Sequence, residues 1–270
     1  MATGVSHLAR LILQSALFLP LFDELSDPRV VVELAVAAEE RGWDGVFVWD
    51  HLRYAAPVRE VADAWVVMAA IAAATEKVRI GPMVTPVPRR RPQVLLRETV
   101  TLDHLSNGRF VFGVGIGGDP GGELSVFGEE RDSRARAALL DDALERIDRW
   151  WHGETVDGVT MLPVPVQRPR IPVWVASRYP NRAPIRRAAR WDGWFPIALP
   201  APEALTEELD YARQHRDREA PFAVAVQGLP GADPRPWVEA GATWWLVRFD
   251  PFTVSVADVR AAIDNGPPRV

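Results

Sequence analysis

The chain has no cysteine, so disulfides, thiol nucleophiles and cysteine-ligated metals are excluded. Lysine is almost missing too: Lys77 is the only one, and the other thirty basic residues are arginine, a skew that fits a GC-rich coding bias. A Schiff-base aldolase needs a lysine inside its site, whereas Lys77 precedes an apolar strand-like run. Five histidines are spread along the chain at His7, His51, His104, His152 and His215. A metal hydrolase gathers several histidines and carboxylates at one place, so no metal site is expected. Basic residues are scattered through a chain of net charge −5, which offers nucleic acid or an anionic membrane no surface. No apolar run approaches the roughly 20 residues that span a bilayer. Residues 8–22 have the apolar character of a signal peptide but lack a small-residue cleavage site and run into Pro20 and Asp23. They read better as a first buried strand, and the expected setting is the cytoplasm.

What is present is alternation. Apolar strand-like runs at 16–19, 46–49, 78–84, 110–114, 173–176, 193–197, 222–226 and 243–247 are separated by helical patterns at 28–41, 62–75, 92–105, 135–151, 184–190, 202–215 and 234–240, with a last helix at 256–263. Strands alternating with helices make a parallel sheet, and eight of them close into a ring. The fold expected is therefore an α/β (β/α)₈ TIM barrel, a single domain over residues 1–270, with any chemistry at the C-terminal ends of the strands.

That rule singles out Asp50 and His51, which end the run Val46–Trp49. Imidazole titrates near neutrality, so His51 reads as a proton carrier or a partner for a cofactor ring, against the plainer reading of a histidine that ties down a loop. Asp50 reads as an orienting group or an ordinary helix cap. Gly81 and Pro82 near the end of the third strand mark a bulge or a close ligand approach. Arg89–Arg91 follows; such a run is usually a solvated loop, with anion binding as the other reading. The glycines from Gly113 through Gly115, Gly117 and Gly118 lack the helix and acid of a dinucleotide fingerprint, yet they strip side chains from the mouth and leave room for a flat ligand. Ser177, Arg178, Asn181 and Arg182 precede a helix, where free N–H groups and the helix dipole favour an anion; a simple capped loop competes.

Four stretches, Glu39–His51, Thr75–Pro88, Leu102–Phe110 into the glycines, and Arg187–Trp194, taken together in this order resemble the bacterial luciferase-like oxidoreductases over nearly the whole chain. The resemblance implies the same barrel and a flavin-type cofactor at its mouth, coenzyme F-420 or FMN, used for hydride transfer or monooxygenation of a small organic substrate. It implies His51 near the reactive face of the ring, with Asp50 beside it, and a non-prolyl cis peptide at Pro82–Met83 backing the ring together with Val84 and Thr85. The cofactor phosphate falls to Ser177, Arg178, Asn181, Arg182 and Ala183, and Arg89–Arg91 would meet an acidic cofactor tail. A homodimer is common in the family. The chain also departs from sugar-phosphate dehydrogenases of the family, with Gly118 in place of a glutamate, Ala55 in place of a tryptophan, and a short connection at 153–162 that implies a smaller or more open substrate pocket. These departures leave a second reading, a cofactor-free, non-catalytic barrel serving as a binding or partner subunit.

Overall fold

Strand residues alternate between two apolar environments, and this alternation shapes the molecule. The computed structural model describes residues 13–270; His7 and the first part of the 8–22 run lie outside them. The elements in order are β1 (Gln14–Leu19), α1 (Pro28–Glu40), β2 (Gly45–Val48), α2 (Ala64–Ala74), β3 (Arg79–Pro82), β4 (Thr85–Pro86), α3 (Pro92–Leu105), β5 (Phe112–Gly115), α4 (Ser133–Trp151), the hairpin β6 (Thr155–Val156) and β7 (Val159–Thr160), β8 (Val173–Arg178), α5 (Ala183–Ala189), β9 (Gly193–Ile197), α6 (Pro202–Gln214), β10 (Ala223–Gly228), α7 (Arg235–Glu239), β11 (Trp244–Arg248) and α8 (Val256–Asp264).

All strands except the hairpin belong to one parallel sheet, in the order β3-β2-β1-β11-β10-β9-β8-β5-β4. Nine strands make eight staves, because the third stave comes in two pieces, β3 and β4, joined through Met83–Val84. The lower piece meets residues 109–111 through the Ile80–Phe110 bridge, with Val111 N–H donating to Ile80 O at 2.8 Å, and the upper piece pairs with β5. The ring is thereby closed, and the fold is a (β/α)₈ barrel.

Odd and even residues of each strand go to different cores. Leu17, Val46, Val48, Val175, Trp194 and Val247 pack outward under the helices, while Ala16, Phe18, Phe47, Val111, Trp174, Phe195, Trp244 and Leu246 fill the lumen. Phe47, Trp174 and Trp244 lie 5.4–5.7 Å apart and plug the lower barrel. Trp174 fits because position 193 has no side chain: a Cβ there would stand 2.5 Å from the indole. Most tryptophans are thus packing residues, which supply large apolar area per side chain.

Helix starts follow their caps. Asp63 accepts the amides of Trp65 and Val66 and Asp132 those of Arg134 and Ala135, so α2 and α4 begin at Ala64 and Ser133; such a cap is worth about 1 kcal/mol. At the N-terminal end of the barrel, the Glu39 carboxylate accepts the amides of Glu76, Lys77 and Val78, and the Arg109 guanidinium donates to carbonyls of Ala72, Thr75 and Val78. Lys77 sits at this stability face. So does the 153–162 connection, since α4 runs down from the mouth and ends there. The expectation that its shortness shapes the substrate pocket is therefore overturned: the segment folds into the β6–β7 hairpin, held by Trp150 Nε1 donating to Val159 O, at the opposite end from the mouth. Among the described residues no helix is long and apolar enough to cross a membrane.

Candidate functional site

The C-terminal ends of the strands surround a cavity of about 800 Å³, within the 300–1,000 Å³ range of ligand sites. Its wall is unequal. On the side of staves three to five it is almost bare: Met83, Val84, Gly115, Gly117, Gly118 and Ala176. Gly113 and Gly115 permit this, because a Cβ on Gly113 would stand 2.0 Å from Pro82 O and one on Gly115 2.8 Å from a Val84 methyl. The two strands meet backbone to backbone and present a flat face. The floor and remaining wall are aromatic or polar, with Phe18, Trp49 and Phe195 below and His51, Tyr54, Glu123, Arg178, Gln227 and Arg248 around.

His51 is held by a residue far along the chain. Its Nδ1 lies 2.7 Å from Glu123 Oε2, and Glu123 Oε1 accepts the Leu52 amide at 2.6 Å and Arg89 Nη1 at 2.7 Å. Burial pushes the Glu123 carboxyl up, but the His51 hydrogen bond and charge, the Leu52 amide and the Arg89 charge outweigh it and hold the group at about 2. An ionised carboxylate can only accept, so Nδ1 carries the proton and donates. Whenever the ring is neutral, Nε2 is then left as an acceptor. Tyr54 stands edge-on to His51 with centroids 5.0 Å apart. Its phenol is pushed up by burial and by the Glu123 charge, against the opposing effect of Arg178.

Asp50 borders the cavity, but its carboxylate turns into the barrel wall. It accepts from Thr85 Oγ1 at 2.8 Å and Trp65 Nε1 at 3.2 Å, and pairs with Arg89 and Arg90 at 3.3 and 3.2 Å. It orients neighbours rather than capping α2, whose cap is Asp63. Arg89, only 4% exposed, bridges Asp50 and Glu123. The expected encounter of Arg89 and Arg90 with an acidic cofactor tail is thus corrected: both guanidiniums are engaged inside the wall, and only Arg91 of the run is solvated.

Of the other residues singled out in the sequence, Met83, Val84, Gly115, Gly117, Gly118, Ser177, Arg178 and Asn181 line the cavity. Four do not. Thr85 is fully buried against Asp50, and Pro82 closes β3 on the outward register, with its carbonyl against Gly113. Arg182 reaches away to Glu208 at 3.0 Å and lies over the Tyr211 ring. Ala183 opens α5 with its amide taken by Asn181 Oδ1. The non-prolyl cis peptide is Met83–Val84, one bond later than Pro82–Met83. The Ser177 hydroxyl already accepts Trp194 Nε1 at 2.7 Å.

Glu123, Tyr54, Gln227 and Arg248 were not foreseen. Glu123 lies in an aperiodic loop that carries no pattern, brought down where Gly121 lets the loop approach Tyr54; a Cβ at 121 would be 2.9 Å from the Tyr54 backbone. Gln227 and Arg248 did carry a signal, the one that marked His51: a polar residue on the inward register just past an apolar strand. Two supports of the non-catalytic reading also fall. The mouth does hold a carboxylate, Glu123, although position 118 is glycine, and the short connection is remote from the mouth. Among the described residues no group of three His, Asp or Glu side chains could hold a metal.

The family model for luciferase-like monooxygenases matches residues 9–238. In sequence the chain is 36% identical over 180 residues to a coenzyme F-420-dependent glucose-6-phosphate dehydrogenase of Gordonia bronchialis, covering 59% of this chain and 52% of that one. It is 33% identical over 198 residues to the enzyme of the same description from Nocardia farcinica, covering 67% and 57%. The chain spans little more than half the length of these relatives. In structure it superposes on an F-420-dependent secondary alcohol dehydrogenase with a TM-score of 0.74 at 20% identity, over 93% of this chain and 96% of that one. A monooxygenase from Streptomyces bottropensis gives 0.73 at 18%, over 93% and 97%; at such identities the likeness speaks for the fold alone. With most of its length matched by one family model, the chain belongs to the luciferase-like monooxygenase family.

Proposed function

We propose that this protein is an oxidoreductase that holds a flavin-type cofactor, coenzyme F-420 or FMN, in the mouth of the barrel and oxidises a small hydroxyl compound. The observation that carries the reading is the His51–Glu123 pair on the wall of a cavity whose adjoining side is glycine backbone and apolar side chains. The residues present fit a planar tricyclic ring. A face of glycine backbone and apolar side chains, Met83, Val84, Ile116 and Ala176, lies on staves three to five, aromatic rings form the floor, and Arg178 and Asn181 border the cavity for a phosphate. When bound, the cofactor accepts or gives hydride at its central ring.

The chain's own part is positional and acid–base. Met83, Val84 and Gly115 would hold the ring from the barrel side, with Phe18 and Trp49 as the apolar floor that excludes water. His51, its Nδ1 proton committed to Glu123, offers Nε2 to a substrate hydroxyl. Nε2 would take the hydroxyl proton of a substrate whose hydride goes to the bound cofactor, and the Glu123 carboxylate would stabilise the imidazolium. The sugar-phosphate dehydrogenases it resembles in sequence support dehydrogenation; the family model, that of luciferase-like monooxygenases, supports oxygen chemistry on the same scaffold.

Titration of the purified protein with F-420 and with FMN, followed by absorbance and fluorescence, tests the reading. Saturable binding of one of them is expected, and binding of neither overturns it. Oxygen uptake with the reduced holoprotein separates the two chemistries: dehydrogenation predicts none coupled to substrate turnover.

A further inference from the structure

Charge inside the mouth does not balance. Asp50 and Glu123 are neutralised by Arg89 and Arg90 within the wall. Two guanidiniums that border the cavity, Arg178 and Arg248, remain without a hydrogen bond or ion pair among the described residues, and residues 1–12 contain no acid. A chain of net charge −5 thus carries a local cationic excess around the mouth, where a concave wall concentrates field lines and draws anions in.

The two arginines differ in place. Arg178 is exposed, at the rim before α5. Arg248 is half-buried on the lumen side of β11: Trp244 and Leu246 face inward and Trp245 and Val247 outward, so the next inward position is 248, beside Phe18 of β1. On the neighbouring strand the inward position above Ala225 is Gln227, level with Leu246, and its amide also has no partner among the described residues. A guanidinium and a carboxamide, neither with a partner among the described residues, border the cavity from adjacent strands over an apolar floor, Gln227 two staves and Arg248 three staves away from Arg178. A forked pair of N–H groups matches the two oxygens of a carboxylate or phosphate, and the amide adds a third donor.

We propose that Arg248, with Gln227, is the anchor for an oxyanion of the substrate, so that the hydroxyl compound taken into the mouth carries a carboxylate or a phosphate. The assignment rests on the oxidoreductase reading of the mouth for the word substrate, while the anion site itself stands on the geometry. It leaves Arg178 to the phosphate of the cofactor, and it makes Arg248 a specificity-determining residue that holds the far end of the substrate while His51 takes the hydroxyl proton.

The probes are inorganic phosphate and acetate, titrated calorimetrically into cofactor-free protein and into protein loaded with whichever of F-420 and FMN it binds. Cofactor-free protein is expected to take two equivalents of phosphate, Arg178→Met removing one and Arg248→Met the other. Loaded protein keeps one, and Arg248→Met weakens it at least tenfold while Arg248→Lys, which keeps the charge but not the fork, retains only part of it. The stronger of phosphate and acetate names the oxyanion. The proposal is overturned if Arg248→Met leaves anion binding to the loaded protein unchanged, or if it weakens the cofactor itself tenfold, which would give Arg248 to the cofactor. Failure of both cofactors to bind sinks the oxidoreductase reading alone, since the cofactor-free titration of Arg248→Met still decides the anion site. Melting temperature within a few degrees of the parent confirms that each variant is folded.

Discussion

Glu123 Oε2 lies 2.7 Å from His51 Nδ1 although 72 residues separate them in the chain. The contact favours one imidazole tautomer and leaves Nε2 uncommitted on a residue that borders the cavity, the arrangement a general base requires. Replacing Glu123 with Gln keeps the shape and removes the charge. The expected result is a fall in kcat of about 10²-fold with KM little changed, and a comparable or larger loss for His51→Ala, in a steady-state assay with the bound cofactor. Unchanged turnover in either variant removes the pair from the mechanism.

The same carboxylate makes stability depend on acid. Glu123 is held at about 2 in the folded protein against an ordinary 4.5. A depressed folded value contributes stability that is full above the unfolded value and is lost as pH falls from about 4.5 towards 2. Urea unfolding at pH 6, 5, 4 and 3 should show the parent losing more stability over the lower steps than Glu123→Gln, which lacks this proton uptake. Parallel curves would assign the acid sensitivity to other carboxylates.

How much was legible follows from what kind of residue carries each feature. Strand runs such as Phe110–Val114 and Val173–Ala176 announce themselves by apolar content, so the barrel could be counted from sequence with errors of a residue or two at the ends, while the Asp132 cap that starts α4 was not read. His51 was legible because it follows a strand directly. Glu123 was not, since a loop residue acquires its neighbours only when the ring closes. Arg89 and Arg90 read as solvent-facing because a run of like charge usually is; here Asp50 and Glu123 draw both inside. The 153–162 connection misled because its length was visible but not the end of the barrel it occupies.

Arg89 is the cation shared by two buried carboxylates, Asp50 at 3% and Glu123 at 2% exposure. Removing one member of a buried ionic cluster strands the others, at a cost of about 3–5 kcal/mol. Arg89→Met should lower the unfolding free energy by that order. Arg91→Met, an exposed neighbour in the same run, should stay within about 0.5 kcal/mol. Equal effects in chemical denaturation would argue that Arg89 is not the keystone of the wall.

The bare side of the mouth makes a contrasting pair of glycine variants informative. A Cβ at Gly113 would meet the Pro82 carbonyl at 2.0 Å, a backbone atom fixed by the β3–β2 pairing, whereas one at Gly118 finds nothing nearer than Pro120 Cδ at 3.4 Å. Relief at Gly113 requires the third and fourth staves to part, which also shifts Met83 and Val84 behind the ring site. Gly113→Ala should therefore cost about 1–3 kcal/mol in urea unfolding and weaken cofactor binding in the same protein, while Gly118→Ala leaves stability near the parent. If Gly113→Ala bound cofactor as the parent does despite lost stability, the flat face would be a packing device of the barrel and not the bed of the ring.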